Sequence, residues 1–378
     1  METQELLFID LQTQKNRLKA KIEHAIHNII EKNHFIMGPE VAQLEQQLSK
    51  FCGAKHVIGC SNGTDSLALV LRAKNIGPND AVLVPSFTFA STAEVVVWLG
   101  ATPIFVDVLP DSFNMDPHSL IKGIQLAKDL NLTPRAVISV DLFGQPADYD
   151  SIESICHQFG LWLLSDAAQS FGATYKGRKV GTIGLATSTS FYPAKPLGCY
   201  GDGGAVFTDD DELAEIIRSL RVHGQGKDKY DNARIGINGR LDTLQAAVLL
   251  EKLTIFPEEI EKRQHIASYY NQGLEKVVQV PHLISKVTSV WAQYTVRMSA
   301  NHRNEMIKRL SQDKIPTVVY YPKSLHQQTA YRNFPTVGHL QVSESLANEV
   351  LSLPMHPYLT QDMQDFIIDR FCAHMNDL

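Results

Sequence analysis

Residues 161–173 read LWLLSDAAQSFGA, and this stretch sets the pattern for most of the chain. An apolar run ends at Asp166 and is followed by small residues and a glycine, which predicts a buried strand leading into a turn. Strands that are apolar throughout are typical of parallel sheets covered by helices on both faces. The stretch therefore predicts an α/β fold in which Asp166 lies at the carboxyl edge of the sheet, where such folds bind ligands.

The same alternation extends to both sides of this strand. Helical patterns are followed by candidate stops at Gly53 and Gly77. They are KIEHAIHNIIEKN, EVAQLEQQLSKFCG and TDSLALVLRAKNIG. Strand-like runs bounded by turn residues lie between and after them, namely HVIGC, AVLVPSF, TPIFVDV, RAVISVDLFG and GAVFTDD. Strands separated by helices predict a mostly parallel sheet with helices on both sides.

The pattern changes near Lys252. A long amphipathic helix, EKRQHIASYYNQGLEKV, is followed by the strand-like runs SVWAQYTVRMS and PTVVYYP, with the helix HRNEMIKRLSQDK between them. We therefore predict a large domain over residues 1–251 and a smaller α+β domain over residues 252–378.

Composition excludes several classes of function. The 378 residues carry a formal charge of -6, so no basic footprint for nucleic acid is present. The amino-terminal stretch lacks the apolar core of a signal peptide, and the most apolar segment is interrupted at Pro85 and Ser86. Five scattered cysteines without a CxxC pair indicate reduced thiols and no metal site. No GxGxxG motif follows a predicted strand, which disfavours an NAD oxidoreductase. We expect a cytoplasmic protein that binds neither nucleic acid nor membrane.

Lys195 lies in STSFYPAKPLGCYGDGGA, between Pro193 and Pro196, which exclude a helix interior. Alone it would be an ordinary loop lysine. With Asp166 at a strand end, it matches the needs of pyridoxal 5'-phosphate (PLP), which binds a lysine and requires an anionic partner for its pyridine nitrogen. Asp166 could instead cap a helix. Gln169 could donate to the phenolic oxygen of the ring, or be an ordinary polar helix residue.

The phosphate of such a cofactor needs backbone donors. In CSNGTDSLALVL, a glycine and small hydroxyl residues precede a helix, and Gly63, Thr64 and Asp65 could donate to a phosphate there. The same residues also fit a plain helix cap. Ser190 is a second candidate donor.

An aromatic side chain over the ring would complete the site. Phe87 and Phe89 in PSFTFAST alternate, so both face one side if the segment stays extended. Either could belong to the core, and we take Phe89 as the stacking residue.

At this point the sequence resembles the DegT/DnrJ/EryC1/StrS sugar aminotransferases. The resemblance runs through FIDLQTQ, FIMGPEV, SNGTDSLAL, PSFTFAST, GATPIFVDV, LFGQPADYD, DAAQSFGA, SFYPAKPLGCYGDGGAVFT, RVHGQ, GINGRLDTLQAAVL and LPMHPYL, in that order. It implies a PLP-dependent transferase of fold type I, with a mostly parallel seven-stranded sheet in the large domain. It also implies homodimers with two shared active sites.

The family's functional positions map onto this chain residue by residue. Lys195 corresponds to the lysine that binds PLP covalently, and Asp166 to the partner of the pyridine nitrogen. Asn238 in GINGR corresponds to an asparagine that reaches the phosphate of the neighbouring subunit. The remaining cofactor positions are those against the ring and around the phosphate: Gln169, Phe89, Gly63, Thr64, Asp65 and Ser190.

Two features bear on the reaction. A dehydratase branch of the family carries His in place of the lysine, so Lys195 favours transamination, and a PLP-dependent dehydratase is the alternative. Asp141 in SVDLFGQ departs from the His of many relatives, and we assign it no role.

A narrower resemblance concerns the substrate. KPLGCYGDGGAVFTDDDELA, SVWAQYTVR and VVYYPKSLH are most similar to enzymes that aminate C3 of UDP-3-oxo sugars, above all UDP-2-acetamido-2-deoxy-3-oxo-D-glucuronate, for O-antigen synthesis. A branch that acts on 3-oxo-N-acetylglucosamine for lipid A and enzymes for dTDP-3-oxo-6-deoxyhexoses remain competitors. L-Glutamate is the expected amino donor and 2-oxoglutarate its product. Candidate substrate contacts are Arg240, Tyr320, Tyr321 and Lys323.

Overall fold

The computed structural model describes residues 6–228 and 230–378. Its helices are α1 Leu11–Lys32, α2 Pro39–Cys52, α3 Gly63–Ala73, α4 Ser91–Trp98, α5 Pro117–Asp129, α6 Tyr149–Phe159, α7 Asp211–Leu220, α8 Thr243–Leu253, α9 Phe256–Leu274, α10 Ala300–Gln312, α11 Gln341–Glu349 and α12 Gln361–Asn376. Its strands are β1 His56–Cys60, β2 Asp80–Pro85, β3 Thr102–Val106, β4 Thr133–Val140, β5 Trp162–Asp166, β6 Thr174–Tyr175, β7 Arg178–Lys179, β8 Ala186–Ser190, β9 Gly204–Thr208, β10 Val287–Thr288, β11 Tyr294–Arg297 and β12 Val350–Leu353.

A seven-stranded sheet forms the centre of the large domain, in the order β1-β9-β8-β5-β4-β2-β3. β9 runs antiparallel to both of its neighbours, and the other pairings are parallel. The predicted α/β fold with a mostly parallel sheet is therefore confirmed. Asp166 at the end of β5 pairs in register with Val140 of β4 and Ser188 of β8. These three strands consequently deliver their following loops to one edge of the sheet.

Helices cover both faces of the sheet. On one face α3, α4 and α7 pack against the strands through a cluster that includes Leu67, Val95 and Ile217. On the other face α5 and α6 do the same through residues that include Ile124 and Ile152. Burial on both sides explains the nearly continuous apolar runs of β2, β4 and β5.

Two local predictions were wrong, and one strand was not predicted. The third helix ends at Ala73 rather than near Gly77, because Asn75 adopts a left-handed conformation (φ 56°) and begins a turn. PTVVYYP is not a strand, since only Val318 forms a bridge, to Ser352. β8 was not predicted, because its ATSTS sequence is polar although the strand is almost entirely buried in the sheet.

The carboxyl-terminal region has its own core around α9, α10, α12 and the antiparallel pair β11–β12. Its buried residues include Tyr270, Val296 and Phe371. We propose a domain boundary between α8 and α9, close to the predicted division at residue 251. The segment that precedes α1 crosses it, since the Met355 N–H donates to the Phe8 carbonyl oxygen at 3.2 Å. Among the described helices, none has the length and apolar character to cross a membrane.

Candidate active site

Lys195 and Asp166 meet at the carboxyl edge of the sheet. Asp166 is the last residue of β5, and Lys195 follows β8 in a tight turn in which its N–H donates to the Tyr192 carbonyl oxygen at 2.8 Å. Because β5 and β8 are adjacent and parallel, their following segments lie side by side. The sequence prediction that these two residues share one site agrees with this arrangement.

The Asp166 carboxylate is nearly buried and is held by two hydrogen bonds. It accepts from the Thr92 hydroxyl at 3.0 Å and from the Ala168 N–H at 3.2 Å. Burial raises the pKa of Asp166 above its usual value, and these hydrogen bonds and the charge of Lys195 oppose the rise. Within residues 6–228 and 230–378, no basic side chain forms an ion pair with it. Asp166 thus has no basic ion-pair partner among the described residues, and a cationic group such as a protonated pyridine nitrogen would favour its ionised form.

Burial also affects the protonation of the Lys195 amine. Desolvation lowers the pKa of Lys195, and the charge of Asp166 partly counteracts this. A lower pKa increases the fraction of neutral amine at neutral pH, and the neutral amine is the form that can act as a nucleophile or accept a proton.

The predicted phosphate residues converge at the start of α3. Gly63 lies so close to β8 that an added Cβ would come within 2.7 Å of the Ser190 Cβ. The Thr64 hydroxyl is 2.8 Å from the hydroxyl of Ser91, at the start of α4. The Asp65 N–H is already engaged by the Asn62 side chain at 2.7 Å. Both readings of this turn therefore hold together: Asn62 caps the helix, while Gly63, Thr64 and Ser190 line a seat next to it.

The two phenylalanines of PSFTFAST separate. Phe87 is buried in a core cluster, whereas Phe89 is 59% exposed and lies 6.3 Å from the Tyr321 ring. The two rings would face one side only in an extended segment, and this segment is not extended, because β2 ends at Pro85 and the chain bends at residues 86–88. Only Phe89 is available to stack on a ligand, as predicted.

Gln169 links the cofactor side of the site to the carboxyl-terminal region. Its amide nitrogen donates to the Tyr321 hydroxyl at 3.0 Å, and its amide oxygen accepts from the Phe143 N–H at 2.6 Å. Burial raises the pKa of Tyr321, so its hydroxyl is neutral and able to accept this bond. Gln169 is therefore oriented by the protein and is not a solvated helix residue.

The other candidates lie around this centre. The Gly239 carbonyl oxygen accepts from the Ser61 N–H at 3.1 Å, which places Asn238 and Arg240 on either side of a contact with the turn before α3. The Asn238 side chain is exposed in the single chain, and Arg240 is partly buried. Tyr320 is half-buried with its ring 5.9 Å from Tyr321. Lys323, in the following segment, is exposed.

Sequence reasoning missed Thr92 and Ser91. Both belong to the FTFAST motif. The Ser91 hydroxyl is hydrogen-bonded to that of Thr64, and the Thr92 hydroxyl donates to Asp166. Adjacent hydroxyl residues at the start of a helix were the available signal, but a simple cap explains such residues equally well.

A lysine beside a buried carboxylate, next to a glycine turn at a helix start, defines the class as PLP-dependent enzymes of the α/β type. The residues present fit this cofactor: Asp166 offers a buried carboxyl group with no basic ion-pair partner among the described residues, and Gly63, at the start of α3, lies against Ser190. The chain belongs to the DegT/DnrJ/EryC1/StrS aminotransferase family, whose model matches residues 16–372.

Curated relatives match almost the whole chain. A UDP-2-acetamido-2-deoxy-3-oxo-D-glucuronate aminotransferase of Pseudomonas aeruginosa is 47% identical, covering 93% of this chain and 95% of its own. A pleiotropic regulatory protein of Geobacillus stearothermophilus is 39% identical, covering 96% of both chains. Further relatives, 35–38% identical, are named as enzymes of dTDP-linked or UDP-linked 3-amino sugars.

Solved structures also match almost the whole chain. A DegT/DnrJ/EryC1/StrS aminotransferase from Brucella abortus superposes with a TM-score of 0.96 at 50% identity, covering 97% of this chain and 99% of the other. A putative sugar aminotransferase from Streptococcus pneumoniae, 26% identical with a TM-score of 0.86 and covering 95% of this chain and 96% of its own, has been solved in its PLP form. The protein is accordingly a PLP-dependent aminotransferase.

Proposed function

We propose that the protein transfers an amino group from L-glutamate to C3 of a UDP-3-oxo-N-acetylhexosamine or hexuronate, in the biosynthesis of a surface polysaccharide such as O-antigen. The observation that carries the proposal is that Lys195 lies beside the buried Asp166 in a chain 47% identical to an enzyme named for such a substrate. We further propose that it works in the cytoplasm, since its five cysteines are free.

Each residue near Lys195 has a role in this proposal. PLP, when bound, supplies the electron sink that lets an amino group leave one carbon and join another. Asp166 pairs with the pyridine nitrogen and keeps it protonated. Gln169 donates to the ring, and Phe89 packs on its face.

Gly63, Thr64 and Ser190 are proposed to hold the phosphate, and Asp65 would join them only when its N–H leaves the Asn62 side chain. Backbone N–H groups and the helix dipole favour an anion at this end of α3.

Lys195 is proposed to move the proton. The Lys195 amine would lie next to the reacting carbons of a substrate bound with PLP. Its lowered pKa allows the neutral amine to accept a proton from one carbon and the resulting ammonium group to deliver it to another. The same lysine then serves both half-reactions, so the kinetics should be ping-pong.

Aromatic side chains surround the approach to Lys195. Phe89 and Tyr192 are more than half exposed, and Tyr320 is half-buried between Tyr321 and Phe8. Exposed aromatic rings at a site entrance are typical of surfaces that stack on sugars or bases. We assign Tyr320 and Tyr321 to the sugar nucleotide, and Arg240 to a carboxylate of the donor or the sugar.

We propose that the active unit is a homodimer with two shared sites. Ile30, Phe35, Ile36 and Met37 around the α1–α2 connection are all between 38% and 54% exposed. Such an apolar patch supports an interface with a second copy. In the dimer, the exposed Asn238 would reach the phosphate seat of the neighbouring subunit.

The test uses the purified protein with PLP. Borohydride reduction should fix the cofactor to a peptide that contains Lys195, and L-glutamate should convert the absorbance of the lysine-bound cofactor to that of pyridoxamine phosphate. A protein that stays colourless after PLP is added would overturn the proposal. A cofactor that binds but does not respond to any amino donor would favour a dehydratase.

The sugar is identified by the reverse reaction. The pyridoxamine-free enzyme is given 2-oxoglutarate and a panel of UDP-linked and dTDP-linked 3-amino sugars, and formation of glutamate is measured. Preference for a dTDP-3-amino-6-deoxyhexose would replace the UDP-sugar proposal with the alternative that relatives of 35–37% identity suggest.

A further inference from the structure

Asp141 lies directly beside the site but faces away from it. It follows β4, and its N–H donates to the Asp166 carbonyl oxygen at 3.1 Å. The side chain has no exposed surface. The residue therefore touches the backbone of the proposed cofactor residue Asp166 while its carboxylate is enclosed by protein.

Three donors from two segments satisfy that carboxylate. One oxygen accepts from the Ala147 N–H at 2.9 Å and from the Tyr149 hydroxyl, and the other accepts from the Ser170 hydroxyl at 2.6 Å. The Tyr149 hydroxyl also lies 2.7 Å from the hydroxyl of Ser165. Asp141 is thus tied to residues on both sides of Asp166.

Burial raises the pKa of Asp141 to about 7, and the three hydrogen bonds oppose that rise. A buried carboxyl group without hydrogen-bond donors would destabilise the fold. The loop around Asp141 is therefore held in the position that provides these three bonds.

The turn that begins at Asp141 also sets the direction of Gln169. The Phe143 N–H can only donate, so the amide group of Gln169 must turn its oxygen toward it. The amide nitrogen then points to Tyr321 and has one further N–H to offer.

The turn itself leaves little freedom. Phe143 has a φ of 60°, and an added Cβ at Gly144 would lie 2.8 Å from the Trp291 nitrogen. A displaced turn would therefore change the donor that Gln169 presents.

We propose that Asp141 is a positioning residue, whose carboxylate holds the loop 141–149 against the segment 165–170 so that Gln169 presents an N–H donor to the cofactor ring. It acts through Ser170, Tyr149 and the Phe143 N–H, and does not touch the cofactor. The inference rests on the proposed assignment of Gln169 and Asp166 to PLP.

The experiment is a double-mutant cycle on PLP binding to the apo-protein, measured by equilibrium titration rather than by activity. Asp141→Ala and Gln169→Ala should each weaken PLP binding by about fivefold to tenfold, roughly the worth of one buried hydrogen bond. The double variant should lose little more than either single variant, because both changes remove the same bond. Asp141→Asn, which keeps the size and one oxygen acceptor, should restore affinity to within about threefold.

Asp107 provides the matched control. It follows β3, and its carboxylate accepts four bonds, from the Val108 and Val342 N–H groups at 3.0 Å each and from the Ser343 N–H and hydroxyl at 2.8 Å and 2.6 Å. Asp107→Ala should lower the melting temperature of the apo-protein, yet its effect on PLP affinity should be small and independent of Gln169.

Other outcomes overturn the inference. If losses from Asp141→Ala and Gln169→Ala multiply in the double variant, Asp141 does not act through Gln169. If Asp141→Ala lowers only the melting temperature, as Asp107→Ala does, its role is purely structural. A wild-type protein that binds no PLP would instead refute the proposed function itself, which keeps the two failures distinct.

Discussion

Replacing Asp166 by Asn separates the stability of the protein from its chemistry. The substitution removes the negative charge but keeps the size and shape of the side chain. The Asn oxygen can still accept from the Ala168 N–H, and the new amide can donate to the Thr92 hydroxyl, which is able to reverse its role. The Ala168 N–H therefore keeps its acceptor, and the Thr92 hydroxyl keeps a partner at position 166.

The sign of the effect on the apo-protein follows from the pKa. Burial raises the pKa of Asp166, so the folded state binds a proton more tightly than the unfolded state does. Stability then falls as pH rises from the ordinary pKa of an Asp through the raised one. At neutral pH the charged carboxylate opposes folding, and Asp166→Asn should leave the apo-protein as stable as the wild type or more stable by about 1 kcal/mol. For a chain of this size that is a shift of roughly 2–4 °C at most.

The effect on catalysis should be opposite and much larger. A neutral amide cannot keep the pyridine nitrogen protonated, so the electron sink is weakened when charge develops on the substrate. Removal of one such preorganised electrostatic group typically costs about 10²–10³ in rate. We expect a loss of that size in the rate at which L-glutamate converts the bound cofactor, measured in a single turnover.

Two assays on one preparation decide the matter. Differential scanning fluorimetry of the apo-protein gives the stability, and rapid-mixing absorbance of the loaded enzyme gives the half-reaction rate. Asp107→Asn is a suitable control, since that carboxylate is also held by hydrogen bonds but its partners Val342 and Ser343 lie at the start of α11. A clearly destabilised apo-protein, or a half-reaction within about threefold of the wild type, would refute the assignment of Asp166.

Three further predictions concern the phosphate seat, the shared sites and the buried His356. Gly63→Ala should weaken PLP binding by about tenfold, because the added methyl group collides with Ser190 and displaces the phosphate seat; unchanged affinity in an equilibrium titration would contradict that seat. Lys195→Ala and Asn238→Ala should each abolish most turnover. Co-refolded mixtures of the two variants should recover part of it, because a mixed dimer has one site in which both Lys195 and the neighbouring subunit's Asn238 are unchanged. Recovery no greater than in either variant alone would argue against shared sites. Burial lowers the pKa of His356 to about 4, so this residue should raise the free energy of unfolding of the wild type by about 2 kcal/mol between pH 5 and pH 7. Urea unfolding of His356→Gln at both pH values should lack this increase.

The α/β layering of the fold was predictable because buried segments have an apolar pattern that is visible in the local sequence. Runs such as those of β2, β4 and β5 are apolar on both faces, and helix stops such as Gly53 lie in the left-handed conformation that favours glycine. β8 shows the limit of this reasoning. Its hydroxyl side chains find partners inside the sheet region, so a polar sequence forms a buried strand.

The candidate chemistry was also visible in the sequence, since Lys195 between two prolines and Asp166 after an apolar run are local patterns. Their partners were not. Thr92 and Asp141 reach Asp166 only because separate strands and helices end at one edge of the sheet, and no local pattern records which ends will meet.

The sequence by itself therefore determined the class of fold, the family and the candidate residues for the cofactor, because these depend on local periodicity and on motifs in a fixed order. The tertiary structure alone decided that Phe89 and not Phe87 is open to a ligand, and which way the Gln169 amide points. Both depend on the exact path of a turn and on donors from elsewhere in the chain: the bend after Pro85, and the Phe143 N–H that faces Gln169. Such long-range hydrogen bonds exist only once the sheet has brought its ends together.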